Sequence, residues 1–281
     1  MYLVFNEVSE TPLAENINQA EERIKLFIQT FKAAKEKGFE YIRFQDLAQL
    51  NLTDNLNFAL WIANTNSSKN RELREFFWSS FIRKPYIPEG DEKQENEYGN
   101  HLYFLEINGK EVYCNGLAIA YIYNTLGISF YSSEWTYIEQ SIIVKDENEQ
   151  NIKNEKVYQI ARPEHLSDPL LFIFKRLFLI KNLSKIKDLE ELYPTYQFKN
   201  KVIDEILDWK QENNDTYQKL HRLLADIEEH PFTGGLGKTE ALKHNDDGLN
   251  SKRLTRADRI VYSLKNSIIT VFSCKGHYGD K

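Results

Sequence analysis

Apolar positions along the chain recur at every second residue in some stretches and at every third or fourth in others, and the changes of period mark the elements. "YLVFNEV" alternates and predicts a first strand. Between Pro12 and Lys37 the residues Ala20, Ile24, Phe27, Ile28 and Phe31 share one face of a helix, which Gly38 stops. "FEYIRF" reads as a strand, and Asn57–Asn64 and Glu72–Ile82 as short helices. The polar stretch from Lys84 to Asn100, with its acidic run "EGDEKQENE", reads as a loop. In "HLYFLEINGKEVYCN", Asn108-Gly109 separates two alternating runs; both residues tolerate positive φ, so a β-hairpin is predicted. "GLAIAYIYNTLG" has the composition of a buried helix, and "ISFYS", "YIEQSIIV" and "EKVYQIA" of strands. "PLLFIFKRLFLI" and "KIKDLEELYP" predict two further helices. After them "TYQF" reads as a strand, Lys199–Asn213 and Asp215–Glu229 as helices, and "SKRLT", "RIVYSL" and "IITVFSCK" as strands, the last two joined at Lys265-Asn266.

The pattern is α+β, with two domains expected. Residues 1–192 form an α/β or α+β domain that resembles no family, with a regulatory or sensing role expected; residues 193–281 form a smaller one. Hydrophobic residues at 41% suffice for a core, and no run approaches the roughly 20 apolar residues of a membrane helix. The opening "MYLVFNEVSE" lacks the basic region and apolar stretch of a signal peptide, so a cytoplasmic protein is expected. Cys114 and Cys274 are the only cysteines, which excludes a disulfide scaffold, and no metal-ligand spacing such as HExxH occurs; no metal or cofactor is expected. In the first domain His101, His165, Trp135, Glu106 and Glu111 read as structural or surface residues, and nothing there specifies a chemistry.

Charge is divided unevenly. The net charge is −6, yet from Pro231 onward nine Lys/Arg stand against five Asp/Glu. A basic segment on an acidic body points to a polyanionic partner for that segment. Within it, "FTGGLGKTE" (Phe232–Glu240) approaches a phosphate-binding loop of the G-x-x-x-x-G-K-[ST] type. That loop needs a glycine where Phe232 stands and a strand before it, but "TYQKLHRLLADIEEH" is an amphipathic helix with Leu220, Leu223, Leu224 and Ile227 on its apolar face. A nucleotide triphosphatase is therefore rejected. The segment does hold the groups that metal-free RNA cleavage requires: a base for the ribose 2′-hydroxyl, a cation for the phosphate and an acid for the leaving 5′-oxygen. Glu240, the Lys/Arg cluster and His277 are of those types.

The stretches "HPFTGGLGKTEALKHN", "GLNSKRLTRADRIVYSL" and "IITVFSCKGHY" together resemble the YoeB/Txe family of bacterial toxins in the RelE superfamily, from about Tyr196 to Tyr278. The family pattern is a helix pair, then HPFxGxGKPExLK, GxWSRRIxxxHRLVY and a last strand ending in CxxHY. The resemblance implies a small antiparallel sheet packed on two helices and a ribosome-dependent messenger-RNA endonuclease. It implies Glu240 as general base, Arg259 as the contact to the scissile phosphate, His277 as general acid and Tyr278 as a residue orienting the nucleotide. Lys243 aligns with a further lysine of the cleft, and Lys238, Lys252, Arg253 and Arg256 are expected to hold RNA phosphates. The implied partners are messenger RNA, the ribosome and either an antitoxin protein or restraint in cis by residues 1–192, with a homodimer as the expected assembly. His230, His244, Trp209 and Cys274 read as structural. The sequence departs from the pattern at Thr239 (proline in the family), Asn250 (tryptophan), Lys252 (often arginine), Asp258 (histidine), one extra residue in the glycine loop and the terminal "GDK". A module that binds RNA, ribosome or antitoxin without cutting is the alternative function.

Overall fold

Strand β1 (Tyr2–Phe5) opens the chain in the computed structural model, which describes residues 1–44, 49–63, 71–81, 92–242 and 248–276. Helix α1 (Ile17–Glu36) returns the chain to β2 (Tyr41–Arg43), parallel to β1 with Leu3 opposite Ile42. The side chain of Asn16 accepts the N–H of Gln19 at the start of α1, and Gly38 at φ +98° ends it, a value that side-chain-bearing residues rarely adopt. The expected apolar stripe is the buried face of α1. Next come β3 (Asn51–Thr53), β4 (Leu56–Asn57), α2 (Phe58–Ala63), α3 (Arg71–Phe81) and α4 (Glu92–Gly99). Helix α4 lies where a loop was expected. Tertiary contacts override its polar pattern: Gln94 donates to the carbonyl of Ile122 at 3.1 Å, and Tyr98 packs on the first core.

The predicted hairpin is β5 (Leu102–Ile107) and β6 (Lys110–Tyr113), with φ +52° at Asn108 and +72° at Gly109. Helix α5 (Asn115–Ile122) is buried almost all round. Strand β7 (Leu126–Ile128) sits earlier than the expected "ISFYS". It is a central parallel strand between β1 and β9 (Asn151–Ile160), buried on both faces, so it shows no alternation to read. Gly127 fits close packing there, since a Cβ would lie 2.5 Å from a methyl of Leu117 and 3.1 Å from the Cβ of Gln159. Strand β8 (Glu139–Lys145) pairs antiparallel with β9, and the sheet order is β2-β1-β7-β9-β8-β5-β6. Trp135 is buried beside this sheet, its indole donating to the carbonyl of Thr11.

Helix α6 (Asp168–Asn182) leads out of the first unit, residues 1–175, into the second, residues 176–281. The second unit thus starts ahead of residue 193. Ile180, Leu183, Leu189 and Leu192, the last two on α7 (Ile186–Leu192), belong to its core and not to the core before it. Strand β10 (Tyr196–Phe198) precedes α8 (Asn200–Glu212) and α9 (Asn214–Glu229). Then β11 (Thr239–Ala241), β12 (Asn250–Arg253), β13 (Arg259–Lys265) and β14 (Ile268–Ser273) form an antiparallel run, with β10 added parallel to β14. The β13–β14 turn uses Asn266 and Ser267, at φ +52° and +62°, one residue beyond the expected pair. Ile206, Trp209, Leu220, Leu223, Leu224 and Ile227 from the helices meet Ile260, Tyr262, Ile269 and Val271 from the sheet. Among the described residues no helix is long and apolar enough to cross a membrane.

His221 of α9 lies wholly inside this core, its Nδ1 2.7 Å from the hydroxyl of Tyr193. Burial, with Arg176 and Lys210 nearby, pushes its pKa down to about 3. The unfolded chain therefore binds a proton at this residue near the ordinary value of about 6.5 while the folded chain does not. Stability should fall as pH drops through that window, at about 1.4 kcal/mol per pH unit from this group. Replacing His221→Phe should flatten that slope in denaturant titrations run between pH 7 and 4. An unchanged slope would show that the ring is not the source.

Candidate active site

Three strands assemble the site. In the ladder Glu240 of β11 faces Ser251 of β12, which faces Val261 of β13. Paired residues share a face, and alternation puts Arg259, two residues before Val261, on that face as well. Lys252 and Ile260, the neighbouring pair, point the other way, toward the helices. The outcome is a close cluster. Arg259 Nη1 lies 3.0 Å from Glu240 Oε2, Lys238 Nζ lies 3.0 Å from Glu240 Oε1, and Arg259 Nη1 also donates to Ser251 Oγ at 3.4 Å.

Each Glu240 oxygen thus carries one cation. The hydrogen bond from Lys238, opposed by desolvation and joined by the charges of Arg259, Lys238 and Arg253, holds the carboxyl below the usual carboxylate range. Glu240 is ionised at neutral pH. Arg259 is buried by its neighbours, whereas Lys238 reaches into solvent. Arg253 and Arg256 are exposed.

Lys252 corrects the sequence reading. It was expected to hold an RNA phosphate, but its side chain is fully buried and its Nζ bonds to Asp226 Oδ2 on α9. Nζ also reaches the carbonyls of Leu236 at 3.3 Å and Gly234 at 3.5 Å. Burial acts to raise the pKa of Asp226, but the Lys252 bond, the N–H of Leu236 and the charges of Lys252 and His230 outweigh it and hold it low. The pair therefore fixes the glycine loop from inside. Gly234, Gly235 and Gly237 have φ of +77°, +68° and +68°, and a Cβ on Gly235 would fall 2.3 Å from Asp226. Asp226 and Ser251 escaped the sequence reading. Asp226 sits three residues after Leu223 and one before Ile227, so an acid at the edge of an apolar stripe was the available signal.

Asp258 does not face Arg259. Its carboxylate accepts the hydroxyl of Thr255 at 2.5 Å and the N–H of Gly276 at 2.8 Å. The root of the C-terminal tail is fastened from the other side as well. Glu205 accepts the N–H groups of Cys274 and Lys275, and the Trp209 indole donates to the carbonyl of Cys274 at 3.1 Å. Cys274 is buried, and burial first, with Glu205, drives its thiol far above the ordinary value, which suits a core residue. Lys243, His244, His277 and Tyr278 lie outside the described residues. The structure therefore brings together Glu240, Arg259 and Lys238, with Arg253 close enough to act on Glu240 through its charge.

In the first unit, a polar hollow between β5, β8 and Trp135 is lined by Glu106, Asn108, Gln140 and Asn154. Glu7 is spent on the N–H groups of Asn115 and Gly116 at the start of α5. His165 is buried as a hydrogen-bond partner of Ala161 and Arg162, and Glu111 pairs with Lys145. No group of three or more His, Cys, Asp or Glu among the described residues could hold a metal ion.

Residues 198–278 match the family described as YoeB-like toxin of bacterial type II toxin-antitoxin system. Toxin YoeB of Escherichia coli K12 is 35% identical over 75 residues, which covers 27% of this chain and 88% of that toxin. Toxin YoeB of Synechocystis is 35% identical over 71 residues, covering 25% and 81%. The solved YoeB dimer from Staphylococcus aureus is 30% identical, covering 30% of this chain and 95% of that one, with a TM-score of 0.28.

If the pair holds the loop, Lys252→Met alone should destabilise the second unit by about 1–3 kcal/mol, because the carbonyls of Gly234 and Leu236 lose their donor and the half-buried Asp226 keeps only His230 beside it. The double change Lys252→Met with Asp226→Leu should recover only part of that loss, because the carbonyls of Gly234 and Leu236 stay without their donor. Chemical denaturation of the three proteins measures it; a single variant as stable as the parent would show that the pair carries no weight.

Proposed function

Since the chain belongs, through residues 198–278, to the YoeB-like toxins of bacterial type II toxin–antitoxin systems, we propose that its second unit is an endoribonuclease that cuts messenger RNA on the ribosome by attack of a ribose 2′-hydroxyl. The observation that carries this reading is the carboxylate of Glu240 set between Arg259 and Lys238 on one sheet face. In the reaction Glu240 takes the proton of the 2′-hydroxyl. The 2′-oxygen attacks the adjacent phosphorus, Arg259 balances the charge of the five-coordinate phosphate, and His277 protonates the departing 5′-oxygen. Tyr278 orients the nucleotide and Lys243 completes the cleft. Lys238, Arg253 and Arg256 hold neighbouring phosphates.

The closed ion pairs have a chemical consequence. A carboxylate held by two cations is a weak base. A phosphodiester offers Arg259 and Lys238 a competing anion, and once they turn to it Glu240 loses the two interactions that depress its pKa. Substrate binding then raises the basicity of the group that must act. The same closed pair would serve a binding-only module, and a cleavage assay separates the two readings.

The family implies a cognate antitoxin protein as partner; restraint in cis by the residues ahead of the second unit is the alternative. Expression of residues 176–281 alone should arrest bacterial growth, while the full chain is tolerated better; equal toxicity would remove the idea of restraint in cis. Within the chain of residues 1–281, Glu240→Gln and Arg259→Ala should each lower cleavage of ribosome-bound messenger RNA by about 10²–10⁴-fold with the fold retained. Cleavage at the parental rate by both variants would overturn the assignment.

A further inference from the structure

We propose that the glycine loop Phe232–Lys238 is a preformed platform for an unstacked nucleobase of the RNA substrate, with Phe232 and Leu236 supplying the apolar surface. The proposal rests on the reading of the second unit as a ribonuclease and adds a specificity element beside the reacting groups.

The loop is rigid on its inner side. The hydroxyl of Tyr262 donates to the carbonyl of Pro231 at 2.6 Å, and Lys252 holds the carbonyls of Gly234 and Leu236. The N–H of Leu236 is taken by Asp226. Gly237 is pressed against its surroundings: a Cβ there would meet Leu223 at 2.9 Å and the backbone oxygen of Arg253 at 3.2 Å. Both backbone groups of Leu236 are thus directed inward to the ion pair, and its side chain is left outside. The four residues of the loop other than glycine are Phe232, Thr233, Leu236 and Lys238. Phe232 is 56% exposed and Leu236 54% exposed. Single exposed apolar residues are ordinary on a protein surface. Two of them on a short loop fixed by a fully buried lysine are a surface held ready, since ordering cost is met before any ligand arrives.

Charge decides the occupant. Arg253 runs directly behind Gly237, Lys238 ends the loop and extends into solvent, and Arg256 is exposed on the turn after β12. The nearby carboxylate, Glu240, is neutralised by its two cations. An exposed aromatic ring on a loop that ends in Lys238 and is backed by the strand carrying Arg253 fits a nucleobase with its flanking phosphates, the combination by which single-stranded RNA is bound. The loop leads straight into β11 and Glu240, so a base seated on it would hold the chain next to the carboxylate that is to act.

The test uses the full chain carrying Glu240→Gln, so that RNA is bound and not cut. Its probe is a fluorescent single-stranded RNA of about ten nucleotides, free and threaded on a ribosome, with a matching set in which one position at a time is abasic. Adding Phe232→Ala should weaken binding on the order of 5- to 100-fold, leave the slope of affinity against salt unchanged, and have no further effect when the abasic position is the one seated on the loop. Phe232→Trp should restore binding. Arg253→Ala, by contrast, should weaken binding and flatten the salt slope. Unchanged affinity in Phe232→Ala, with Arg253→Ala still impaired, would overturn the platform and leave the ribonuclease reading standing. Equal loss on every abasic RNA would also overturn it, since no base would be read. Failure of the parent chain to bind RNA in either form would overturn both.

Discussion

The second unit is organised around one buried ion pair. Lys252 has no solvent contact, and its partner Asp226 comes from a helix and not from the sheet that carries Lys252. Two charges withdrawn from water are tolerated only when each is paired and its remaining bonding capacity is used. Here that capacity goes to the backbone of Gly234 and Leu236. The need to satisfy a buried ammonium therefore dictates the path of the glycine loop, and the loop delivers Lys238 and Glu240 to the sheet face where Arg259 waits. An apolar pair in the same place would fill the core but would leave those carbonyls without a donor.

The opposite face of the same strands follows a different rule. Glu240, Ser251 and Arg259 are linked to one another by bonds that an incoming anion can replace. One side of β12 is thus closed and the other is exchangeable, and strand alternation alone separates the two roles by a single residue. Asp258 serves the exchangeable side at one remove. Its carboxylate, with Glu205 and Trp209, pins residues 274–276, which immediately precede His277 in the sequence.

Much of this was legible in the sequence where local rules act alone. The stripes on α1, α8 and α9 follow from helical spacing, and the β5–β6 turn from Asn108-Gly109. The family resemblance supplied Glu240 and Arg259, which the structure brings within 3.0 Å of each other. What could not be read is what depends on partners distant in sequence. Helix α4 has a polar pattern that only its contacts explain. Strand β7 is buried on both faces and shows no alternation. Lys252 looked like a surface charge because nothing in "GLNSKRL" announces that Asp226, 26 residues earlier, neutralises it. A lysine in a strand is assigned to solvent by default, and the default failed where the position pointed toward the core.

The proposed reaction turns on the ribose 2′-hydroxyl as nucleophile, with Glu240 removing its proton. The most direct measurement is cleavage of a ribosome-bound messenger RNA in which only the nucleotide 5′ to the cut carries a 2′-deoxy or 2′-O-methyl sugar. Cutting at that position should be abolished, and the unmodified RNA should yield 5′ fragments ending in a 2′,3′-cyclic phosphate or 3′-phosphate. Undiminished cleavage at the modified nucleotide would contradict it.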